Sequence, residues 1–133
     1  MENCIFCKIV AGDIPSMRVY EDEYCIATLD INPAAPGHTL IIPKEHYKDL
    51  TEMNEELAGK LLMAAKKVGM LQMERLGAAG FNVVQNNGAA AGQTVLHFHI
   101  HVIPRYTGDS DMVTWKPTEP ETAALREIQE KMI

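Results

Sequence analysis

The segment LHFHIHVIP at positions 96–104 constrains the fold of this chain most strongly, because histidines alternate with apolar residues along it. Successive side chains of a β-strand point to opposite faces of the sheet. His97, His99 and His101 would therefore share one face, while the apolar residues between them would face a hydrophobic core. The pattern predicts a strand that buries one side and presents three imidazoles on the other.

Three interpretations of the histidine face differ in their chemistry. A solvated face with histidines by chance is the least favoured, because histidine is rare and the alternation is strict. A metal ion could gather two of the rings, since imidazole is a common metal ligand. Imidazole is also a competent nucleophile toward phosphorus, and a second ring can stabilise phosphate oxygens.

The segment QNNGAAAGQTV before this strand favours phosphoryl chemistry. Its glycines and alanines allow backbone N–H groups to approach an anion closely. Asn86, Gln93 and Thr94 add side-chain hydrogen-bonding groups. The spacing, the missing lysine and the strand that follows all differ from a P-loop. A flexible polar turn is the alternative, but an anion-binding loop beside a histidine row is the better interpretation.

Length and charge limit the remaining possibilities. The 133 residues suit one domain, here residues 1–133, and no linker or repeat divides them. The net charge of −6 argues against binding to a nucleic acid polymer. No apolar stretch approaches the length of a membrane span. Three cysteines without a signal peptide favour a reducing compartment, so we expect a cytoplasmic protein.

Hydrophobic periodicity predicts an α+β fold with an antiparallel sheet. Five segments are expected to be strands: MRVYED and EYCIATLD as a hairpin, then HTLIIP, FNVVQN and VLHFHIHVIP. CIFCKIVAG is predicted to form a short helix that stops at Gly12. Residues 51–77 carry a helical apolar stripe, with Thr51 as the expected cap and Gly77 as the stop.

The predicted helices carry two further features, a set of methionines and a capping box. Met63, Met70 and Met73 fall off the apolar stripe of the long helix, so either its buried face is wide or it packs on a second subunit. Near the C-terminus, Thr118 and Glu121 have the spacing of a capping box for a final helix.

The motifs together resemble those of the histidine triad family of nucleotide hydrolases and transferases. The family signature is His-φ-His-φ-His-φ-φ, with φ apolar, and HFHIHVI fits it; LDINPAAPGHTLIIPKEH and GQT resemble two further family segments. The resemblance covers roughly residues 3–109 and leaves 110–133 as a C-terminal extension. It implies a five-stranded antiparallel sheet with one long helix and short N- and C-terminal helices, commonly in a homodimer.

The resemblance also implies a role for each matching residue. His99 would attack the α-phosphate and become nucleotidylated, His101 would contact phosphate oxygens and assist proton transfer, and His38 would orient it. The implied substrate-binding residues are Asp30 and Ile31 on the ribose and base side, and Asn86, Gly92, Gln93 and Thr94 around the phosphate or leaving group. No catalytic metal is required for this route.

The implied activity is hydrolysis of purine nucleoside 5'-phosphate derivatives such as phosphoramidates. The transferase branch carries glutamine at the position of His101, so hydrolysis is favoured over transfer. PRYTGD after the triad resembles the branch that cleaves dinucleoside polyphosphates, which is one alternative. A nucleotide-binding interaction module with incidental hydrolysis is the other.

The N-terminal CIFC segment offers a second site. A redox pair and two buried thiols are alternatives, but Cys4 and Cys7 could join His46 and His97 in a closed tetrahedral zinc site of structural type. Some histidine triad proteins resemble this chain in having such a tetrad. The row would then be divided, with His97 on the metal and the other two rings on the phosphate. The segment after Ser110, with Trp115, either reaches the ligand or packs for stability.

Overall fold

A single antiparallel sheet of five strands organises the molecule, in a computed structural model that describes residues 3–109 and 115–133. The strand order is β1-β2-β3-β5-β4, which confirms the expected sheet and the α+β class. The elements, in chain order, are α1 (Ile5–Ala11), β1 (Arg18–Glu21), β2 (Cys25–Leu29), β3 (Thr39–Pro43), α2 (Glu55–Leu76), β4 (Gly80–Val84), β5 (Ile100–Arg105) and α3 (Thr122–Met132).

The two faces of the sheet carry separate hydrophobic clusters. The larger cluster lies under α2 and includes the apolar residues of the histidine row, Phe98, Ile100 and Val102, as their alternation predicts. The smaller cluster on the opposite face consists of Phe6, Ile26 and Ile42 with partly buried neighbours. The short helix α1 lies on this second face, because it contributes Phe6. The histidine face is therefore covered by α1 rather than open to solvent.

The histidine strand is shorter than the sequence predicts. Its ladder with β3 runs from Thr39↔Val102 to Ile41↔Ile100 and does not extend to Pro43. Proline has no N–H and cannot continue a ladder. Residues 97–99 instead make other bonds: the Phe98 N–H donates to the Tyr47 carbonyl at 2.7 Å. The rings at 97 and 99 thus stand on an extended segment beyond the paired part of β5.

The helix ends test the expected caps. Gly12 ends α1 and Gly77 ends α2, both in the left-handed conformation, as predicted. The predicted cap of α2 is wrong: Asn54 accepts from the Leu57 N–H, while Thr51 lies in a preceding 3-10 turn capped by Asp49. Asn54 is the cap because it stands immediately before the first helical residue, where its side chain reaches the free N–H groups.

The methionines of α2 are not buried in this chain. Met63, Met70 and Met73 are between 43% and 49% exposed, so the interpretation as a wide buried face is wrong. Leu62 and Leu76 on the same helix are also half exposed. The strand β4 forms one edge of the sheet, and its Val83 is 42% exposed. An apolar helix surface and an unpaired strand edge thus remain uncovered.

The C-terminal segment does not pack for stability within the described chain. Every residue of α3 is exposed, including Leu125, Ile128 and Met132. The expected capping box is wrong, because the helix begins at Thr122 and Glu121 makes no side-chain cap bond. Ser110, where we expect the extension to begin, lies with residues 1–2 and 111–114 outside the described residues. Within 3–109 and 115–133, no helix combines the length and hydropathy of a membrane span.

Two glycines of α2 give a matched test of this packing. A Cβ at Gly69 would overlap the ring of Phe81 on β4, whereas a Cβ at Gly59 would meet nothing within 4 Å. We expect Gly69→Ala to lower the free energy of unfolding by about 1–3 kcal/mol through overpacking. Gly59→Ala should raise it by about 0.5–1 kcal/mol through helix propensity. Urea denaturation followed by circular dichroism measures both, and equal effects would contradict the close approach of α2 to β4.

Candidate active site and metal centre

The ring of His99 is held in one tautomer by a backbone carbonyl. Its Nδ1 lies 2.8 Å from the His97 carbonyl oxygen, which can only accept a hydrogen bond. Nδ1 therefore carries the proton, and Nε2 keeps its lone pair. The residue is only 7% exposed, and the ring of Phe6 meets it edge-on with centroids 5.0 Å apart. The Nε2 lone pair of His99 is thus free and fixed in direction.

His38 and His101 form a hydrogen-bonded pair beside His99. The Ala34 N–H donates to Nδ1 of His38 at 3.0 Å, so the His38 proton is on Nε2. That Nε2 lies 2.9 Å from Nδ1 of His101 and 3.5 Å from an Asp30 oxygen. Nδ1 of His101 must accept, which leaves its Nε2 as a hydrogen-bond donor. The neutral pair therefore offers one N–H from His101, next to the nucleophile.

Burial keeps these rings neutral near pH 7. Desolvation, and then the neighbouring His99 and His38, lower the pKa of His101 to about 4. Desolvation also lowers the pKa of His99, although its bond to the His97 carbonyl opposes the shift. For His38, burial lowers the pKa and the Asp30 carboxylate acts against it. Neutral imidazoles are the form that a nucleophile requires.

Four side chains from three parts of the chain meet at a potential metal centre: Cys4 and Cys7 of the N-terminal segment, His46 after β3, and His97. Nδ1 of His97 lies 3.3 Å and 3.5 Å from the two cysteine sulfurs and 3.1 Å from Nδ1 of His46. Zn–N and Zn–S bonds of about 2.0–2.3 Å in tetrahedral geometry place ligand atoms roughly 3.3–3.8 Å apart. The observed distances fit that ion closely.

The surroundings of this tetrad also suit a cation. The Nε2 of His97 donates to the Pro43 carbonyl at 3.1 Å, so the lone pair on Nδ1 points at the other three ligands. Burial, and then the adjacent Cys4 sulfur, raises the pKa of the Cys7 thiol. A divalent ion would reverse that effect by stabilising the thiolates. The donor set and the bond from His97 to the Pro43 carbonyl together support zinc.

A second group, Asp30, His38 and His101, has ligand atoms within 4.8 Å of one another but suits a metal poorly. A metal on Nε2 of His38 would force its proton onto Nδ1, where the Ala34 N–H already donates. Two donors would then face each other. Hydrogen bonding therefore separates the two histidine clusters, with one arranged for metal and one for a neutral N–H.

The loop before the histidine strand is held by the Gln93 side chain. Its amide oxygen accepts from the Gly88 N–H at 2.8 Å, and its Nε2 donates to the carbonyls of Lys48 and Val95. The residue is 4% exposed, so this amide supports the loop rather than projecting from it. Gly92 adopts φ +93° next to the Asn86 amide. The loop conformation thus depends on Gln93 and on a left-handed glycine.

Thr94 and Ile31, also expected at the site, are both exposed. Thr94 lines a cavity of about 760 Å³ together with Cys4, His46 and Lys48. Ile31 is 91% exposed beyond the end of β2, and the neighbouring Asp30 accepts from the Asn32 N–H at 2.8 Å. In the structure, Asp30 thus lies beside the pair of His38 and His101, and Thr94 lies at the edge of the metal centre. Ile31 is almost fully exposed.

Two residues have roles that the sequence analysis missed. Phe6 contacts both His97 and His99, with ring centroids 5.9 Å and 5.0 Å away. Its place between the two cysteines is the signal that could have identified it. Asp30 was expected only beside a ribose, yet one of its oxygens also lies near His38. Nothing in the local sequence around Asp30 indicates that second contact.

Comparison with known proteins assigns the chain to one protein family. A family model described as HIT domain matches residues 11–108. The chain is 49% identical over 116 residues to "Protein hit" of Bacillus subtilis, covering 86% of this chain and 80% of the relative. It is 41% identical over 118 residues to "Adenosine 5'-monophosphoramidase hnt1" of Schizosaccharomyces pombe, covering 89% of this chain and 86% of that protein.

Solved structures agree with the fold, and one of them is described as zinc-bound. A crystal structure from Streptococcus mutans UA159 matches with a TM-score of 0.92 at 43% identity, covering 99% of this chain and 84% of that one. A structure described as a Zn-bound histidine triad family protein, from Mycobacterium smegmatis, matches with a TM-score of 0.81 at 40% identity, covering 98% of each chain. The expected family resemblance is confirmed.

Replacing one cysteine tests the metal centre. We expect wild type to hold about one zinc ion per chain and Cys7→Ala to hold almost none, since a structural site needs all four ligands. Cys25→Ala is the matched control, because Cys25 is buried in the larger cluster under α2 and is not a member of the ligand group. Elemental analysis after gel filtration measures the zinc content. Full retention of zinc by Cys7→Ala would contradict the site.

The lowered pKa of His101 predicts a dependence of stability on pH. An unfolded histidine titrates near 6.5, whereas His101 in the folded protein titrates near 4, so acid favours the unfolded chain. The contribution is complete above about pH 6.5 and is lost as the pH falls toward 4. Between pH 7 and pH 4.5, the free energy of unfolding of wild type should fall by up to about 3 kcal/mol more than that of His101→Gln. Chemical denaturation at several pH values measures this, and parallel curves would refute the assignment.

Proposed function

This chain belongs to the HIT domain family, and we propose that it hydrolyses nucleoside 5'-phosphate derivatives, phosphoramidates in particular, through a nucleotidyl-His99 intermediate. The observation that carries the proposal is the 2.8 Å bond from His99 Nδ1 to the His97 carbonyl, which leaves Nε2 free to attack. The fission-yeast relative named as a monophosphoramidase supports the choice of substrate class.

In the first step, Nε2 of His99 attacks the α-phosphorus and the P–N bond breaks. The leaving nitrogen takes a proton from solvent, and the Nδ1–H of His99 stays on the His97 carbonyl as positive charge develops on the ring. In the second step, water attacks the same phosphorus, returns a proton to solvent and frees His99. The net reaction consumes one water molecule and yields a nucleoside monophosphate and an amine.

His101 serves this mechanism best as a neutral hydrogen-bond donor. Its Nδ1 already accepts from His38, so its Nε2–H can point at a phosphate oxygen without any gain of charge. Protonating Nδ1 would set two donors against each other across 2.9 Å. A fixed N–H aimed at developing negative charge stabilises the transition state without reorganisation. His38, Asp30 and the Ala34 N–H keep that donor in place.

Asn86, Gly92, Gln93 and Thr94 are proposed to bind the phosphate or the leaving group, with Asp30 and Ile31 on the nucleoside side. The left-handed Gly92 turns the loop, and the Gln93 amide holds it in shape, so backbone N–H groups and the exposed Thr94 hydroxyl are the available donors. A preorganised loop of this kind suits an anion. We propose a purine as the base.

The structure gives less support to cleavage of dinucleoside polyphosphates as the main activity. Two polar side chains of PRYTGD are engaged within the fold. The Arg105 guanidinium donates to Asn82 at 3.0 Å, and the Tyr106 hydroxyl donates to the Pro36 carbonyl at 2.6 Å. These side chains hold β5 to its neighbours, which accounts for them without a ligand. A binding module with incidental hydrolysis remains the rival, and turnover distinguishes it.

We propose that the zinc site is structural, because its four protein ligands would close the coordination sphere. The zinc, when bound, would hold the N-terminal segment against His97 and leave no position for substrate. The two thiolates it needs suit a reducing compartment, so we propose a cytoplasmic protein. The exposed methionine surface of α2 and the free edge of β4 support a homodimer.

The covalent intermediate gives the deciding experiment. Wild type mixed with adenosine 5'-phosphoramidate and quenched quickly should gain the mass of one adenylyl group, whereas His99→Ala should gain none and lose activity by about 10³-fold or more. Intact-protein mass spectrometry measures the adduct. Saturable binding of the nucleotide without adduct or AMP, also with a dinucleoside polyphosphate, would favour the binding module instead.

Two substitutions at His101 distinguish hydrogen-bond donation from proton transfer. His101→Gln keeps an N–H donor but cannot shuttle a proton at neutral pH, whereas His101→Ala keeps neither property. We expect adduct formation to persist within about tenfold of wild type in His101→Gln and to fall about 10²-fold or more in His101→Ala. Quenched-flow mass spectrometry measures both rates, and equal losses would assign proton transfer to His101.

A further inference from the structure

We propose that Phe6 is a positioning residue that couples metal occupancy at Cys4, Cys7, His46 and His97 to the orientation of the His99 ring. The inference rests on the proposed function, since it assigns His99 as the nucleophile. It goes further because it makes the metal centre a determinant of the rate of nucleotidylation. The coupling runs through one aromatic side chain and one backbone carbonyl.

The first route runs through α1. Phe6 stands between the two cysteines, on a helix of seven residues. At the start of this helix, the Cys7 N–H donates to the Cys4 sulfur. Its ring is 7% exposed and lies edge-on to His99, at an interplanar angle of 88°. Any shift of the cysteines therefore moves the ring that packs against the nucleophile. A metal bound by both sulfurs would fix that ring.

The second route runs through His97. Its side chain is a metal ligand candidate, and its own carbonyl accepts the Nδ1–H that orients His99. One constraint on the His99 ring, the His97 carbonyl, thus belongs to a member of the tetrad, and the other, the Phe6 edge, belongs to the residue between its two cysteines. A nucleophile held on two sides is sensitive to small displacements, because misplacement by about 1 Å can cost roughly 10²-fold in rate.

The other anchors of α1 lie mainly toward its C-terminal end. Besides Phe6, the helix packs Ile9 and Val10 against the smaller cluster, and the Arg18 guanidinium donates to the carbonyls of these two residues at 2.9 Å and 3.1 Å. These bonds hold the C-terminal end of the helix. The N-terminal end, which carries Cys4 and Cys7, contacts the sheet through their sulfurs and the imidazoles at 3.3–3.5 Å.

The test uses Phe6→Leu, which keeps an apolar side chain but removes the aromatic edge. We expect zinc content and KM within about twofold of wild type, and a single-turnover rate of adduct formation about tenfold lower. Ile9→Ala is the matched control: it also weakens the packing of α1 on the smaller cluster, but Ile9 has no aromatic edge to present to His99. Its rate should stay within about twofold of wild type.

Removing the metal completes a double-mutant cycle. Chelation should slow adduct formation in wild type about tenfold, and should slow Phe6→Leu by clearly less, because the variant has already lost one route. Independent, multiplicative losses would overturn the coupling. A rise in KM alone would also overturn it, by making Phe6 a contact of the substrate.

A spectroscopic measurement separates this inference from the proposed function. Nitrogen-15 resonances of the His99 imidazole report which ring nitrogen is protonated, whether or not the protein turns over any substrate. We expect one Nδ1–H tautomer in the metal-loaded wild type and in Ile9→Ala, and a mixture of tautomers in Phe6→Leu and after chelation. Identical spectra in all four samples would refute positioning by Phe6. If no adduct forms but the tautomer spectra differ between the samples as expected, only the proposed function is refuted.

Discussion

The hydrogen bond from the His97 ring to the Pro43 carbonyl is the interaction on which the rest of the site depends. It forms beyond the ladder between β3 and β5, which stops at Ile41↔Ile100, so a side chain satisfies the Pro43 carbonyl in place of a strand N–H. It fixes the ring so that Nδ1 faces the two cysteines and His46. It also holds the backbone of His97, whose carbonyl sets the tautomer of His99.

One face of one strand therefore supports two kinds of chemistry. The rings at 97 and 99 use opposite nitrogens for their backbone bonds, Nε2 in the first and Nδ1 in the second. The free lone pairs are consequently on different nitrogens, Nδ1 of His97 toward the cysteines and Nε2 of His99 for the proposed attack on phosphate. Identical residue types acquire different functions because each meets a different carbonyl, and burial keeps both neutral.

The sequence predicted the sheet and the long helix, because alternation and helical periodicity report directly on burial. Gly12 and Gly77 were predicted correctly, since a left-handed stop favours glycine. The prediction of Thr51 as the cap of α2 was wrong, because capping depends on which polar residue stands next to the first turn. The tautomers and the contact of Phe6 could not be predicted, since they arise from residues far apart in sequence. The exposed state of α3 was also missed, because an amphipathic pattern does not identify its partner surface.

The internal bonds of Gln93 have a thermodynamic consequence. All three bonds of its amide end on the backbone of the loop or its neighbours, and they exist before any ligand arrives. Such a loop has little conformational entropy left to lose when an anion binds. Affinity for the proposed phosphate ligand would then be governed chiefly by desolvation and electrostatics, because the entropy of ordering the loop has already been lost during folding. In this molecule, the stability of the fold and the affinity for ligand draw on the same buried amide.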